Sequence, residues 1–289
     1  MLSRLVDRSL VVANHGAGRR FHLLETLRHY GAERLTEADE TPRYAAAHAA
    51  YFTAQAQLGA DGVRGPHQRH WSAWLRVERD NLQAALGWLT DHSDQDPDEG
   101  LRLVAALGWF WYFPSRPDGA LQVEAMLAAA EGGSPAARAA ALLAAAVAGR
   151  HAVCIVHPHS ACARAAHQSL ELMTALGDDH GAALAATLLA VEGIGGQDIP
   201  GSLQLLAHAE AQLRGSGDAW SQALVHFVRM ELHFAAPNPA DATRSGRRAL
   251  SIYRRLADHW GSPRCSYTWA SPCTAPVNCA RTGRPTRAP

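Results

Sequence analysis

Residues 176–180 (LGDDH), 216–220 (SGDAW) and 256–260 (LADHW) repeat one pattern at a spacing of forty residues. In each, a small residue (Gly177, Gly217, Ala257) precedes an aspartate (Asp178, Asp218, Asp258). Two places later comes a ring: His180, Trp220, Trp260. Ahead of each aspartate runs a helical pattern, over 163–176, 202–213 and 243–256. A period of roughly 20–50 residues built from paired helices predicts an α-solenoid. Each aspartate is placed to cap the helix that follows it. The expected pairs are 136–149 with 160–176, 179–193 with 200–213, and 219–234 with 240–256. Small residues (Ala166, Ala182, Ala183, Ala186, Ala209, Ala223, Ala249) stand where paired helices must approach closely. The predicted fold class is all-α.

Composition narrows the chemistry. The chain has 289 residues, 47% of them hydrophobic, and a formal net charge of zero. That charge balance argues against a nucleic-acid or membrane field spread over the whole chain. All 27 basic residues are arginine. Without lysine there is no G-x-x-x-x-G-K-[ST] phosphate loop and no Schiff-base or general-base lysine. Five cysteines, with no signal-like apolar segment near Met1, predict free thiols in a reducing cytoplasm. No run of 18 apolar residues predicts a membrane span.

Two clusters could suggest metal, and neither has the spacing for it. His151, Cys154, His157, His159 and Cys162 are dense in soft and imidazole ligands but match no zinc pattern. The acidic stretch 91–100 (DHSDQDPDEG) lacks the glycine and glutamate positions of a calcium loop and is expected to be a solvated connection. No metal, no cofactor and no catalytic residue is expected.

Residues 1–38 are of a different kind. Leu2, Leu5 and Val6 give a short helical face, and 9–13 (SLVVA) reads as a strand. Residues 14–18 (NHGAG) form a turn, 21–23 (FHL) a returning strand, and 25–35 a helix with Leu27, Tyr30, Gly31 and Leu35 on one face. Helix, hairpin, helix is the closing half of a winged helix. Residues 39–62 give a linker and a helix. Residues 66–92 read as one strong helix through Trp71, Trp74, Leu75, Glu78, Leu82, Ala85, Leu86 and Leu89. Residues 101–113 are helical and end in the densest aromatic patch, Trp109 to Phe113.

The strings LSRLVDRSLVV (2–12) and RFHLLETLRHYGAERL (20–35), with Trp74-Leu75, Glu78, Asn81-Leu82, Ala84-Ala85-Leu86 and Trp88, carry a resemblance. They resemble the STAND-type ATPases, the large actinobacterial transcriptional regulators of the LuxR or SARP type. The resemblance implies a winged-helix remnant over 1–38, a helical linker and atypical first helices over 39–133, and tetratricopeptide-like repeats over 134–260. It also implies that the phosphate loop and acidic Mg²⁺ site of the parent family lie upstream of Met1, so this chain is not expected to be an enzyme. The implied role is a non-catalytic sensor, binding a protein partner or small-molecule effector through its repeats and touching DNA only through other domains. Self-association is compatible with this role, and membrane binding is not expected.

The candidate groove residues, chosen by helical phase and by the aromatic patch, are Trp109, Trp111, Tyr112, Thr187, Glu192, His226, Arg229 and His233. The competing reading is DNA binding by the remnant, with Arg4, Arg8, Arg19, Arg20 and Arg28 on phosphates and Arg19 and Arg20 foremost. Residues 261–289 hold five prolines and three cysteines and no apolar period. They are expected to be a disordered or frame-shifted tail that ends the array at Trp260.

Overall fold

A computed structural model describes residues 2–16, 18–112, 118–149, 161–195 and 198–270. The chain divides into two compact units, 1–49 and 50–289.

In the first unit, α1 (Leu2–Asp7) leads into the strands β1 (Val11–Gly16) and β2 (Gly18–Leu23). Ser9 makes the bend with φ 58°, and the Leu10 amide donates to the Leu5 carbonyl at 2.9 Å. The strands pair antiparallel from Val11↔Leu23 to Gly16↔Gly18, so each runs three residues further toward the turn than the sequence pattern predicts, and the turn expected over 14–18 is correspondingly tighter. Helix α2 (Glu25–Glu37) turns Leu27, Gly31 and Leu35 partly inward and leaves Tyr30 exposed. It stops where Asp39 takes φ 57° and the Glu40 amide reaches back to the Leu35 carbonyl. The expected helix, hairpin, helix order is present. Helix α3 (Thr41–Gly62) runs across the division between units.

The second unit is all helix among its described residues. Trp71 lies against α3 at Gly59 and Gly62, where an added Cβ would come within 2.8 and 2.0 Å of the indole. The expected single helix over 66–92 is two: α4 (Gln68–Val77) and α5 (Arg79–Asp91). Glu78 breaks it at φ −89°, ψ 10°, with its buried carboxylate accepting from Asn81 Nδ2 at 2.7 Å. The apolar period continues across the break, which is why the sequence pattern shows no gap.

Helices α6 (Pro97–Tyr112) and α7 (Asp118–Ala129) follow, and both pack on α8 (Pro135–Ala148). Gly108 sets the closest approach, since a Cβ there would sit 2.8 Å from the Ala144 Cβ. The layered packing therefore begins at α6, ahead of the boundary expected at 134. Asp98, from the acidic stretch, accepts the Ser134 amide at 2.6 Å and the Ser134 hydroxyl at 2.7 Å. Those bonds hold its carboxyl below the usual range and join the start of α6 to the start of α8.

The array continues with α9 (Ala161–Leu176), α10 (Asp179–Ala190), a short 3-10 turn (Val191–Gly195), α11 (Ile199–Gln212), α12 (Ala219–Ala235) and α13 (Pro239–Arg255). Successive helices pack as α8 on α9, α9 on α10, α10 on α11 and α12 on α13. Ala182, Ala183, Ala185 and Ala186 of α10 are all buried, so the neighbouring backbones close in. This is the all-α repeat solenoid that the forty-residue pattern predicted. The end of the array differs from expectation. Residues 261–270 form a further helix, α14 (Gly261–Ala270), packed on α13 with Cys265 buried. Pro263 falls in its first turn, where a missing amide costs no helical bond, so it does not act as a breaker. Residues 271–289 lie outside the described residues.

Candidate functional site

Each repeat aspartate caps a helix, and two of the three also reach back. Asp178, Asp218 and Asp258 follow residues at positive φ (71°, 77° and 51°), which aim one carboxylate oxygen back over the next helix. Oδ1 then accepts the amides of Gly181 at 2.9 Å, Ser221 at 2.9 Å and Gly261 at 2.5 Å. In Asp218 and Asp258 the second oxygen faces the preceding repeat. His180 Nε2 lies 2.8 Å from Asp218 Oδ2, and Trp220 Nε1 donates to Asp258 Oδ2 at 2.9 Å. The ring two places after one aspartate thus binds the aspartate of the next repeat, and the repeated sequence pattern is a ladder of rungs.

The two rungs differ electrostatically. Burial raises the Asp218 carboxyl, but hydrogen bonds from His180 and Ser221 outweigh it and hold the group far below the usual carboxylate range. The same contact raises His180 above 6.5, against partial burial. A raised histidine stabilises the fold fully below its unfolded value of about 6.5, and that contribution is lost as pH rises through its folded value. A depressed aspartate contributes above about 3.9, and that is lost as pH falls through its folded value. The rung is therefore strongest between roughly pH 4 and 6.5. His226, lowered by burial, acts in the opposite sense. We expect the stability advantage of the wild type over His180→Gln to shrink as pH rises from 6 to 8.5. Urea unfolding of both proteins across that range measures it, and a constant difference would contradict the rung.

Around the Trp220 rung the chain closes on itself. Trp109 of α6 meets Trp220 of α12 edge to face, with centroids 4.8 Å apart. Tyr112 meets Trp260 at 5.1 Å. Phe227 lies 5.9 Å from Trp260, and Tyr253 reaches both Trp220 and Trp260 at 6.2 and 6.4 Å. Tyr253 is fully buried, and burial pushes its hydroxyl well above 10. Arg264 stacks 4.7 Å over Trp260 and donates to the Tyr112 hydroxyl at 3.3 Å. From the other side Arg64 approaches the Trp220 ring at 5.8 Å and Asp218 at 3.8 Å.

Gln68 fastens the first helices to the last. Its Nε2 donates to the Val63 carbonyl at 2.9 Å and Asp258 Oδ2 at 3.2 Å, and its Oε1 accepts the His259 amide at 2.9 Å. Two acceptors on one side and a donor on the other fix the amide orientation. Asp258, 2% exposed, also accepts the Trp260 amide at 2.9 Å. Over this junction lies a solvent-open groove of about 480 Å³, lined by Gln68, Arg69, Ser72, Arg76, His259 and Trp260.

The candidate groove residues do not converge. Trp109 and Tyr112 enter the aromatic hub, with Trp109 buried and Tyr112 half-buried. Trp111 is buried against Gly119 and borders a separate small cavity with Arg79 and Asp118. Thr187 is fully buried and its hydroxyl donates to the Ala183 carbonyl at 2.7 Å, so it lines no groove. Its phase pointed inward, but the interior there is packed alanine. Glu192 is half-buried in the 3-10 turn. His226 and Arg229 lie 3.3 Å apart, and Arg229 pairs with Glu210 at 2.7 Å and reaches the Leu206 carbonyl, tying α12 to α11. His233 is half-buried and lowered by burial. Arg19 pairs with His15 in the hairpin and Arg20 with Asn14. His151, Cys154, His157 and His159 lie outside the described residues. Cys162 is buried against Gly149. Among the described residues no cluster of three metal-ligating side chains occurs, and no helix is long and apolar enough to cross a membrane.

Sequence reasoning found the aspartates and their rings but missed Gln68, Arg69, Ser72, Arg76 and His259. The periodicity of the array marks only what repeats, and these residues belong to a single junction between distant parts of the chain.

No family model matches the chain. It is 38% identical over 112 residues to a protein of Mycobacterium bovis named "Putative HTH-type transcriptional regulator". Two proteins of the same name from Mycobacterium tuberculosis strains show the same identity over the same length. The match covers 38% of this chain and 12% of those much longer relatives.

Proposed function

We propose that this chain is the helical-repeat, non-catalytic binding region of a cytoplasmic transcriptional regulator of the STAND type. On this reading the repeats take up an effector or partner, and other domains act on DNA. The observation that carries it is the junction where α4 meets the turn at 258–260 and presents a groove held by Gln68 and Asp258. Grooves at a junction of elements, with a few polar groups placed to fix orientation, suit binding. The name borne by the mycobacterial relatives supports the regulatory role.

The test compares transcript profiles of a strain lacking the gene with the same strain carrying either the intact gene or one without codons 50–270. The regulatory reading expects a discrete set of transcripts to change on deletion and only the intact gene to restore them. Unchanged transcripts would end it.

The relatives' name also favours a second reading, direct DNA contact through Arg19 and Arg20 on β2. A gel shift at low salt separates the two. Salt-sensitive duplex binding that disappears on Arg19→Ala/Arg20→Ala substitution would place the DNA contact in this chain.

A further inference from the structure

We infer that the groove over the Gln68–Asp258 junction binds a small organic anion that carries an aromatic ring, with Arg69 and Arg76 taking the charge and Trp260 the ring. The inference rests on the proposal that the repeats bind an effector, and it names the chemical class.

Charge comes first. Helix α4 reads QRHWSAWLRV and contains no carboxylate. Arg69, Ser72 and Arg76 stand at i, i+3 and i+7, so they share one face over two turns, about 10 Å long. All three line the groove, and both arginines are exposed. Among the described residues neither arginine forms an ion pair, whereas Arg64, on the turn just before, is paired with Asp61 at 2.6 Å. Arg76 Nε donates to the Ser72 carbonyl at 3.0 Å, which lays the side chain along the helix and fixes its position in the groove.

The carboxylate bonded to the lining residue Gln68 is already committed. Asp258 lies beneath the floor, and its oxygens accept from Trp220, Gln68, Trp260 and Gly261. No lining residue is acidic. The groove is thus a cationic surface whose complement comes from outside these residues. Arginine favours carboxylate and phosphate because its fork matches two oxygens at once.

The ring follows from the other wall. Trp260 and His259 face α4 across the groove and are held there by the backbone bonds to Asp258 and Gln68. Arg264 covers the face of this half-buried indole, so what Trp260 brings to the groove is an apolar wall that a planar group can meet at its exposed part. Gln68 makes three bonds and is 5% exposed, so the floor cannot swing away to admit a thick chain. The volume of about 480 Å³ is within the span of small-molecule sites.

Calorimetry on the full chain tests this with two ring-bearing anions, 1-naphthoate and adenosine 5′-monophosphate. Naphthalenemethanol, adenosine and inorganic phosphate supply ring without charge and charge without ring. The expected result is that at least one ring-bearing anion binds at least tenfold more tightly than its uncharged counterpart and than phosphate. Binding should weaken about tenfold or more in Arg69→Gln and Arg76→Gln, equivalent to about 1.4 kcal/mol per tenfold. Binding by naphthoate alone assigns a carboxylate ligand, and by the nucleotide alone a phosphate ligand. Both variants lie on an exposed helix face, and an unchanged melting temperature separates lost binding from lost folding. No binding by either anion, equal binding by phosphate, or full binding by both arginine variants would overturn the inference. The outcome is independent of the transcript experiment: binding without a transcript change would sink the regulatory role and leave the site standing.

Discussion

Replacing Trp220 with alanine is expected to cost about 3–5 kcal/mol of stability, the largest effect of any single change in the repeats. The indole is 2% exposed and touches Trp109, Tyr253 and Trp260. Truncation would open a void at the centre of the hub and also strip Asp258 of its indole donor. The conservative change separates these two losses. Trp220→Phe keeps most of the ring packing and removes only the N–H, so it should cost about 1–2 kcal/mol. Urea unfolding followed by circular dichroism reads both. A cost below about 1 kcal/mol for Trp220→Ala would mean that the hub relaxes around the gap and does not hold α6 to α12.

Asp258→Ala should be nearly as severe, at about 3–5 kcal/mol, because four donors lose their acceptor at once. The asparagine variant is informative for a geometric reason. Oδ1 faces two backbone amides, and Oδ2 faces the Trp220 indole and the Gln68 amide. Whichever way an asparagine amide turns, its NH2 meets donors. Asp258→Asn should therefore cost about 2–4 kcal/mol although its volume is unchanged. Adding Trp220→Phe to Asp258→Asn removes one of the opposed donors, so the double variant should be more stable than the sum of the single losses. Hydrogen exchange should show α14 losing protection first. Equal protection in α14 for wild type and Asp258→Ala would contradict the capping role.

The solenoid was legible because its signal repeats. Three aspartates forty residues apart, each after a small residue, mark where helices start, and the structure places a helix after each of them. The second half of that pattern, the ring two places on, was visible as text but not as meaning. Only in space does His180 reach Asp218 and Trp220 reach Asp258. The break at Glu78 was hidden because α4 and α5 keep a continuous apolar phase across it. The helix after Trp260 was hidden for the opposite reason: proline-rich composition outweighed one well-placed Pro263 and a buried Cys265. The candidate groove failed at Thr187 and His226 because helical phase tells inward from outward but not a packed interior from an open one. The residues that line the groove belong to non-repeating helices and to one turn, and their meeting depends on how the whole array curves.

The bond from Gln68 to Asp258 spans 190 positions in the chain. In an open array each helix pair answers only to its neighbours, and either end can melt alone. A clasp between the ends turns the row into a loop, and loops form late, since the chain entropy of closure is lost before any contact returns it. The groove is assembled from both sides of the clasp. It exists only once the helices on either side of the clasp have met, so a ligand held there would report on, and hold shut, that meeting.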